Sequence, residues 1–224
     1  MFPSYWGPLS YIHPENDMTL RTTNYLMRLD DNLHVKDYTV VDTSMLDEEP
    51  KWHFIGQEDA RLAKWDGNYY LIGVRRDREP VRTRTPGEGR MEYSKIDLDK
   101  KNWKAKEIQR VRIPAPNEDN SYCEKNWYPI LDMPYHFIKW TAPTEIVKAD
   151  PNESKCEQVA IKKTFPVSND QRGGSQIVKY GNIYFATDGS PRIIKIANTT
   201  KLINTYAGTV SAWGYSGENL PALS

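Results

Sequence analysis

Short β-rich runs, each closed by an acidic, Asn or Gly turn, follow one another along the chain, and none has the spacing of an amphipathic helix. The stretch 56–77, GQEDARLAKWDGNYYLIGVRRD, shows the pattern best. EDARLAKW interleaves polar and apolar residues, Asp66-Gly67 supplies a tight turn, and NYYLIGV is a β-rich return. TTNYLMRLDDNLHVKDYTVVD repeats the scheme around Asp30-Asp31-Asn32, and MEYSKIDLD with KAKEIQRVRI repeats it around the turn from Asp99 to Asn102. YPILDM, YHFIKWTA, EIVKAD and CEQVAIKKTF follow, bounded by Pro or Asp/Asn turns. This density of strands predicts an all-β fold, and by itself it suits a sandwich as well as a propeller.

Composition narrows the partners. The formal net charge is +0, which implies no strong attraction to nucleic acid or to an anionic membrane surface. Two cysteines, Cys123 and Cys156, are too few for a disulfide framework, and neither they nor the scattered histidines have metal-ligand spacing, so no metal or cofactor is expected. The start of the chain has no basic segment followed by an apolar run, and no stretch approaches the roughly 18 apolar residues of a membrane span. A cytoplasmic protein is the expectation. Tyr 14 and Trp 7 against Phe 5 is a skewed aromatic set, suited either to half-wet sugar-stacking surfaces or simply to β-strands.

Charge gathers at one end of the 56–77 hairpin. Glu58, Asp59 and Arg61 fall at the start of its first strand, and Arg75, Arg76 and Asp77 at the end of its second. Side by side, these six groups suit a polyhydroxylated or anionic ligand. The loop beyond carries arginines 75, 76, 78, 82, 84 and 90, which read either as a solvated loop or as a cationic rim for phosphate or a sugar acid.

Three motifs carry a resemblance. Glu58-Asp59-Ala60-Arg61 resembles the E-D-[PA]-R blade motif of five-bladed β-propeller glycosidases, above all the β-mannoside phosphorylases. Glu124-Lys125-Asn126-Trp127 followed by Pro129 resembles the K-N-x-x-x-P segment of the next blade, and Arg172-Gly173-Gly174-Ser175-Gln176 the Gly-rich opening of the one after. From about residue 181 the chain instead resembles an NHL repeat, through Tyr184, Phe185, Arg192, Ile193, Lys195, Ile196, Ala207-Gly208-Thr209 and Gly214-Tyr215-Ser216-Gly217. The resemblance implies an incomplete β-propeller of roughly four blades. Residues 1–180 would form glycosidase-like blades, and 181–224 an NHL-like blade continuing them. It also implies that most of a first blade is missing before residue 20.

The same resemblance implies a carbohydrate-active protein, with a mannoside-like β-glycoside as partner and inorganic phosphate if cleavage is phosphorolytic. Asp59 takes the place of the general acid, and Glu124 is the choice for a second carboxylate, which hydrolysis requires about 5–10 Å away across the sugar. Glu58, Arg61, Arg76, Asp77, Lys125, Asn126 and Trp127 are the expected substrate-binding residues. Each has a plainer reading as an ion pair, a turn residue or, for Trp127, a core side chain. Ile138-Lys139 stands where the family has a His-Arg pair, and the family's late acid has no counterpart. A non-catalytic carbohydrate-binding propeller, of the kind associated with glycosyltransferases, is therefore the alternative, and an NHL-type protein-interaction scaffold a further one.

Overall fold

The structure, a computed structural model, describes residues 20–51, 54–76, 89–114, 123–141, 143–162, 173–181, 183–187, 193–197 and 203–207. Asp77, the arginines at 78, 82 and 84, Arg172 and everything after Ala207 lie outside the described residues, as does the chain before Leu20. Among the described residues every regular element is a strand, so the all-β expectation holds, and no helix is long and apolar enough to cross a membrane.

Three four-stranded antiparallel meanders follow each other in the chain. The first contains β5 (Gln57–Trp65), β6 (Asn68–Arg75), β7 (Arg90–Asp99) and β8 (Lys104–Arg112). The second contains β9 (Tyr128–Pro129), β10 (His136–Thr141), β11 (Thr144–Ala149) and β12 (Cys156–Lys162). The third contains β13 (Val178–Tyr180), β14 (Ile183–Thr187), β15 (Ile193–Ala197) and β16 (Ile203–Ala207). Ahead of them, β1 (Leu20–Arg21) pairs in parallel with β4 (Phe54–Ile55). The hairpin of β2 (Tyr25–Leu29) and β3 (Val35–Asp42) joins the outer edge of β8 in parallel, giving the six-stranded order β2-β3-β8-β7-β6-β5. That sheet curls into a half-barrel.

The turns form where their chemistry directs. Asp66 and Gly67 both have positive φ, at 49° and 78°, which is the twist a two-residue hairpin loop needs between Trp65 and Asn68. The Asp30 carboxylate accepts from the amides of Asn32 and His34, each at 2.9 Å. Asp99 accepts from Lys101 and Asn102, and Asp150 from Asn152 and Glu153. These short Asp side chains replace backbone partners that a turn leaves unmet. The same bonds hold the Asp99 and Asp150 carboxyls below the usual carboxylate value, for Asp99 chiefly through the Asn102 side-chain amide.

Strand β6 is buried on both faces. Tyr70, Ile72 and Val74 point toward the second meander and join Trp65, Tyr93, Trp127, Phe137 and Val147 in the main core. Each fully buried aromatic or aliphatic side chain there contributes about 1.5–3 kcal/mol. Trp65 meets Phe137 edge to face at 5.7 Å, and its indole N–H donates to the carbonyl of Ile130 at 3.1 Å, fastening the two meanders together. A second core of Tyr128, Ile130, Ile138, Ile177 and Ala186 lies between the second and third meanders. The middle sheet is thus covered on both sides. Some of the Trp and Tyr serve this packing: Trp65, Trp127, Tyr93 and Tyr128 are each only 1% exposed, while Tyr25, Tyr38 and Tyr180 are exposed.

Candidate functional site

The three motifs meet. Arg61 on β5 reaches across to the third motif, where its Nη2 donates to the carbonyl of Gly173 at 2.8 Å. Gly173 in turn presses on the second motif, since a Cβ built there would lie 1.9 Å from the carbonyl oxygen of Asn126. Only a residue without a side chain fits that contact. Gln176 closes the junction from the other side, donating to the carbonyl of Leu62 at 2.9 Å. Asn126 has a φ of 61°, a left-handed conformation that Asn tolerates better than most residues. Lys125 beside it is half-buried.

Asp59 sits differently from the expectation of a plain strand. The register jumps between Glu58, opposite Val74, and Arg61, opposite Ile72, so Asp59 and Ala60 together face Gly73. This is a β-bulge, and Asp59 takes the left-handed φ of 51° that the extra residue requires. Gly73 makes room for it, because a Cβ there would come within 2.4 Å of the Glu58 carbonyl. Simple two-residue alternation, which would put Asp59 and Arg61 on one face, therefore does not apply. Asp59 is exposed, and its carbonyl accepts from Arg61 Nη1 at 3.1 Å. Burial pulls the Arg61 guanidinium below its ordinary pKa, opposed by the Asp59 charge. Its Nε is buried with no partner among the described residues.

The remaining expected residues divide. Glu58 pairs with Arg76 at 3.5 Å, and the Arg76 guanidinium lies 5.7 Å from the centre of the Phe54 ring, so the two form an ion pair at the hairpin end. Glu124 is withdrawn from any cleft. It is 4% exposed, accepts the Trp127 indole N–H at 3.0 Å and pairs with Lys139 at 2.9 Å. That is the geometry of an internal brace and not of a carboxylate facing a sugar. Trp127, 1% exposed and bonded to that brace, has no ring face free for stacking, and Lys139 is too buried to hold phosphate. Next to them burial pushes the Cys156 thiol up to about 12; Cys123 and Cys156 are both free.

A second locus was not anticipated from the sequence. The concave face of the six-stranded sheet carries buried polar residues: Gln57, Arg75, Glu92, Ser94 and Glu107 are each 3% exposed or less. Glu92 takes Arg75 and Arg112 on its two oxygens, both at 2.8 Å. Glu107 grips Arg110 in a fork that also reaches Asp47 at 3.1 Å. Burial alone would lower the Arg110 pKa, but the Glu107 carboxylate more than offsets this and holds it above its ordinary value. Above this network lies a cavity of about 320 Å³. The signal in the sequence was the alternation of Glu92 with Ser94 in β7, polar on a face where a core strand should be apolar.

No protein-family model matches the chain, and no curated protein matches it in sequence. Among the described residues no group of His, Cys, Asp and Glu is arranged to hold a metal ion.

Proposed function

We propose that the chain is an incomplete β-propeller that binds carbohydrate, with mannoside-like β-glycosides as the first class to test, at the edge formed by Asp59 and Arg61, and that it does not cleave what it binds. Three consecutive meanders, with a core between the first and second and another between the second and third, favour radial blades over a two-sheet sandwich. The carrying observation is Arg61. It stands where the three motifs meet, half-buried and held by the carbonyls of Asp59 and Gly173, with an exposed carboxylate next to it. A guanidinium and a carboxylate so placed hydrogen-bond vicinal hydroxyls by donating to one and accepting from the other.

The non-catalytic reading is favoured over the glycosidase reading by Glu124, whose two oxygens are taken up by Lys139 and Trp127. That leaves Asp59 without the chosen second carboxylate that hydrolysis needs. Phosphorolysis would need cations to hold phosphate; Lys139 is committed to Glu124 and Arg76 pairs with Glu58, which leaves Arg61 and Lys125. The third meander, β13 to β16, adds a further four-stranded sheet.

Affinity electrophoresis in β-mannan, run beside an assay of p-nitrophenyl β-mannoside with and without phosphate, tests this. The expected result is retardation of wild type, less retardation of Arg61→Ala, and no release of nitrophenol in either buffer. Turnover that Asp59→Asn abolishes would establish the enzyme instead. Asn tolerates the left-handed bulge position, so that variant changes charge and little else.

A further inference from the structure

We propose that the cavity on the concave face of the half-barrel is a binding site for a neutral cyclic polyol of monosaccharide size, separate from the Asp59–Arg61 edge. Its floor is made by Gln57, Leu71, Arg75, Ser94, Ile96 and Glu107 from four adjacent strands, all buried. Its mouth is exposed and polar, with Thr22 and Thr23 ahead of β2, Asp42 at the end of β3 and Ser44 just beyond it. At about 320 Å³ it stands at the small end of small-molecule sites, which run from about 300 to 1,000 Å³.

The chemistry of the walls selects the ligand. The charges below the floor are matched internally, Arg75 and Arg112 with Glu92, and Arg110 with Glu107 and Asp47. Neither an anion nor a cation would find an uncompensated partner in that set, so a charged ligand at the floor would be desolvated without return, while Arg21 and Asp42, which also line the cavity, are exposed. The lining is mixed: Val41, Leu71 and Ile96 offer apolar surface, and Gln57, Ser94 and Glu107 beside them offer polar groups. A ring with an apolar face and a rim of hydroxyls matches both. Ser94 is the sharpest pointer: it is 2% exposed, lines the cavity, and its Oγ has no hydrogen-bond partner among the described residues. Buried hydroxyls in folded proteins are as a rule bonded, and a ligand hydroxyl at the floor would complete this one.

The site also has a built frame. The Thr22 amide donates to Ile55 at 2.8 Å, and Asn24 donates its side-chain N–H to the carbonyl of Gln57 at 3.0 Å, which fixes the segment that walls the cavity. On the far side Arg110 donates to the carbonyl of Leu46 at 2.8 Å and anchors the loop bearing Thr43 and Asp47. The cavity shares no residue with the Asp59–Arg61 edge.

The test is an amide-resolved NMR titration of the chain with myo-inositol and with D-mannose, on wild type, Ser94→Ala and Arg61→Ala. Saturable shifts are expected at Asn24, Leu71, Ser94 and Ile96 with at least one probe. The Kd should be roughly fivefold weaker in Ser94→Ala, the loss of one hydrogen bond, and unchanged in Arg61→Ala. Removing a hydroxyl with no partner leaves the unliganded fold intact, which the variant's spectrum reads directly. No saturable shift at those amides with either probe would overturn the proposal, as would a Kd indifferent to Ser94→Ala. Shifts confined to Arg61, Asn126 and Gly173 would also overturn it, while supporting the glycan edge.

Discussion

Replacing Gly173 by Ala tests the meeting of the three motifs without touching a charged or polar side chain. The new methyl would lie 1.9 Å from the Asn126 carbonyl oxygen and 2.8 Å from its carbonyl carbon. Both atoms are main chain, so no rotamer change relieves the overlap, and one backbone segment must move in a close-packed interior. Overpacking of this kind costs about 1–3 kcal/mol, and occasionally more. The movement also loosens the bond from Arg61 to the Gly173 carbonyl, a charge-assisted contact in the range of about 1.5–3 kcal/mol. Together the loss is about 3–5 kcal/mol, a large part of the roughly 5–15 kcal/mol that holds a domain folded. With a urea slope of about 2 kcal/mol/M, the unfolding midpoint should fall by about 1.5 M or more. Gly181→Ala is the control: it has positive φ but nothing within 4 Å, and should lose only the left-handed penalty of about 1–2 kcal/mol. If urea denaturation finds Gly173→Ala no worse than Gly181→Ala, the junction as described is wrong.

The Glu124–Lys139 brace predicts strong coupling. Glu124→Gln or Lys139→Met alone should cost about 3–5 kcal/mol by leaving one buried charge alone, and the double variant should recover much of it in a denaturation cycle. Asn126→Gly should be close to neutral, and Asn126→Val should lower the thermal midpoint clearly, because a β-branched residue resists a φ of 61°. In acid, the lowered pKa values of Asp99 and Asp150 mean that the folded state holds fewer protons than the unfolded chain. Their stabilisation is complete above their ordinary value of 3.8 and is lost as pH falls through the lower folded values. Asp99→Asn and Asp150→Asn should each flatten the acid limb of a stability–pH profile and leave the slope near neutrality unchanged.

The strands and turns were legible because they are local. Asp-Gly at 66–67, Asp30 and Asp99 each hold the chemistry of their turn within four residues, and β2, β3 and β5 to β8 fall where alternation and turn residues put them. The site was legible only in part. The sequence placed Arg61, Asn126 and Gly173 in three successive motifs, and the contact between them comes from the structure. The bulge at Asp59 was hidden because its cause, Gly73, lies on the neighbouring strand. Glu124 and Trp127 looked like surface chemistry because their partner, Lys139, comes from another strand, and only together do they make a neutral buried unit. The concave network escaped for the same reason: Glu92 is compensated by Arg75 and Arg112 from flanking strands, and no sequence period records that pairing. Trp127 also shows how composition misleads, since a Trp enriched for sugar stacking and a Trp that fills a core leave the same count.

Calorimetric titration with β-1,4-mannotetraose, comparing wild type with Arg61→Ala and Glu124→Gln, bears most directly on the glycan edge. Saturable binding is expected for wild type, with affinity lost in Arg61→Ala and kept in the folded fraction of Glu124→Gln, whose carboxylate faces the core. Binding that survives Arg61→Ala unchanged, or no binding to folded wild type, would contradict a glycan edge at Asp59 and Arg61.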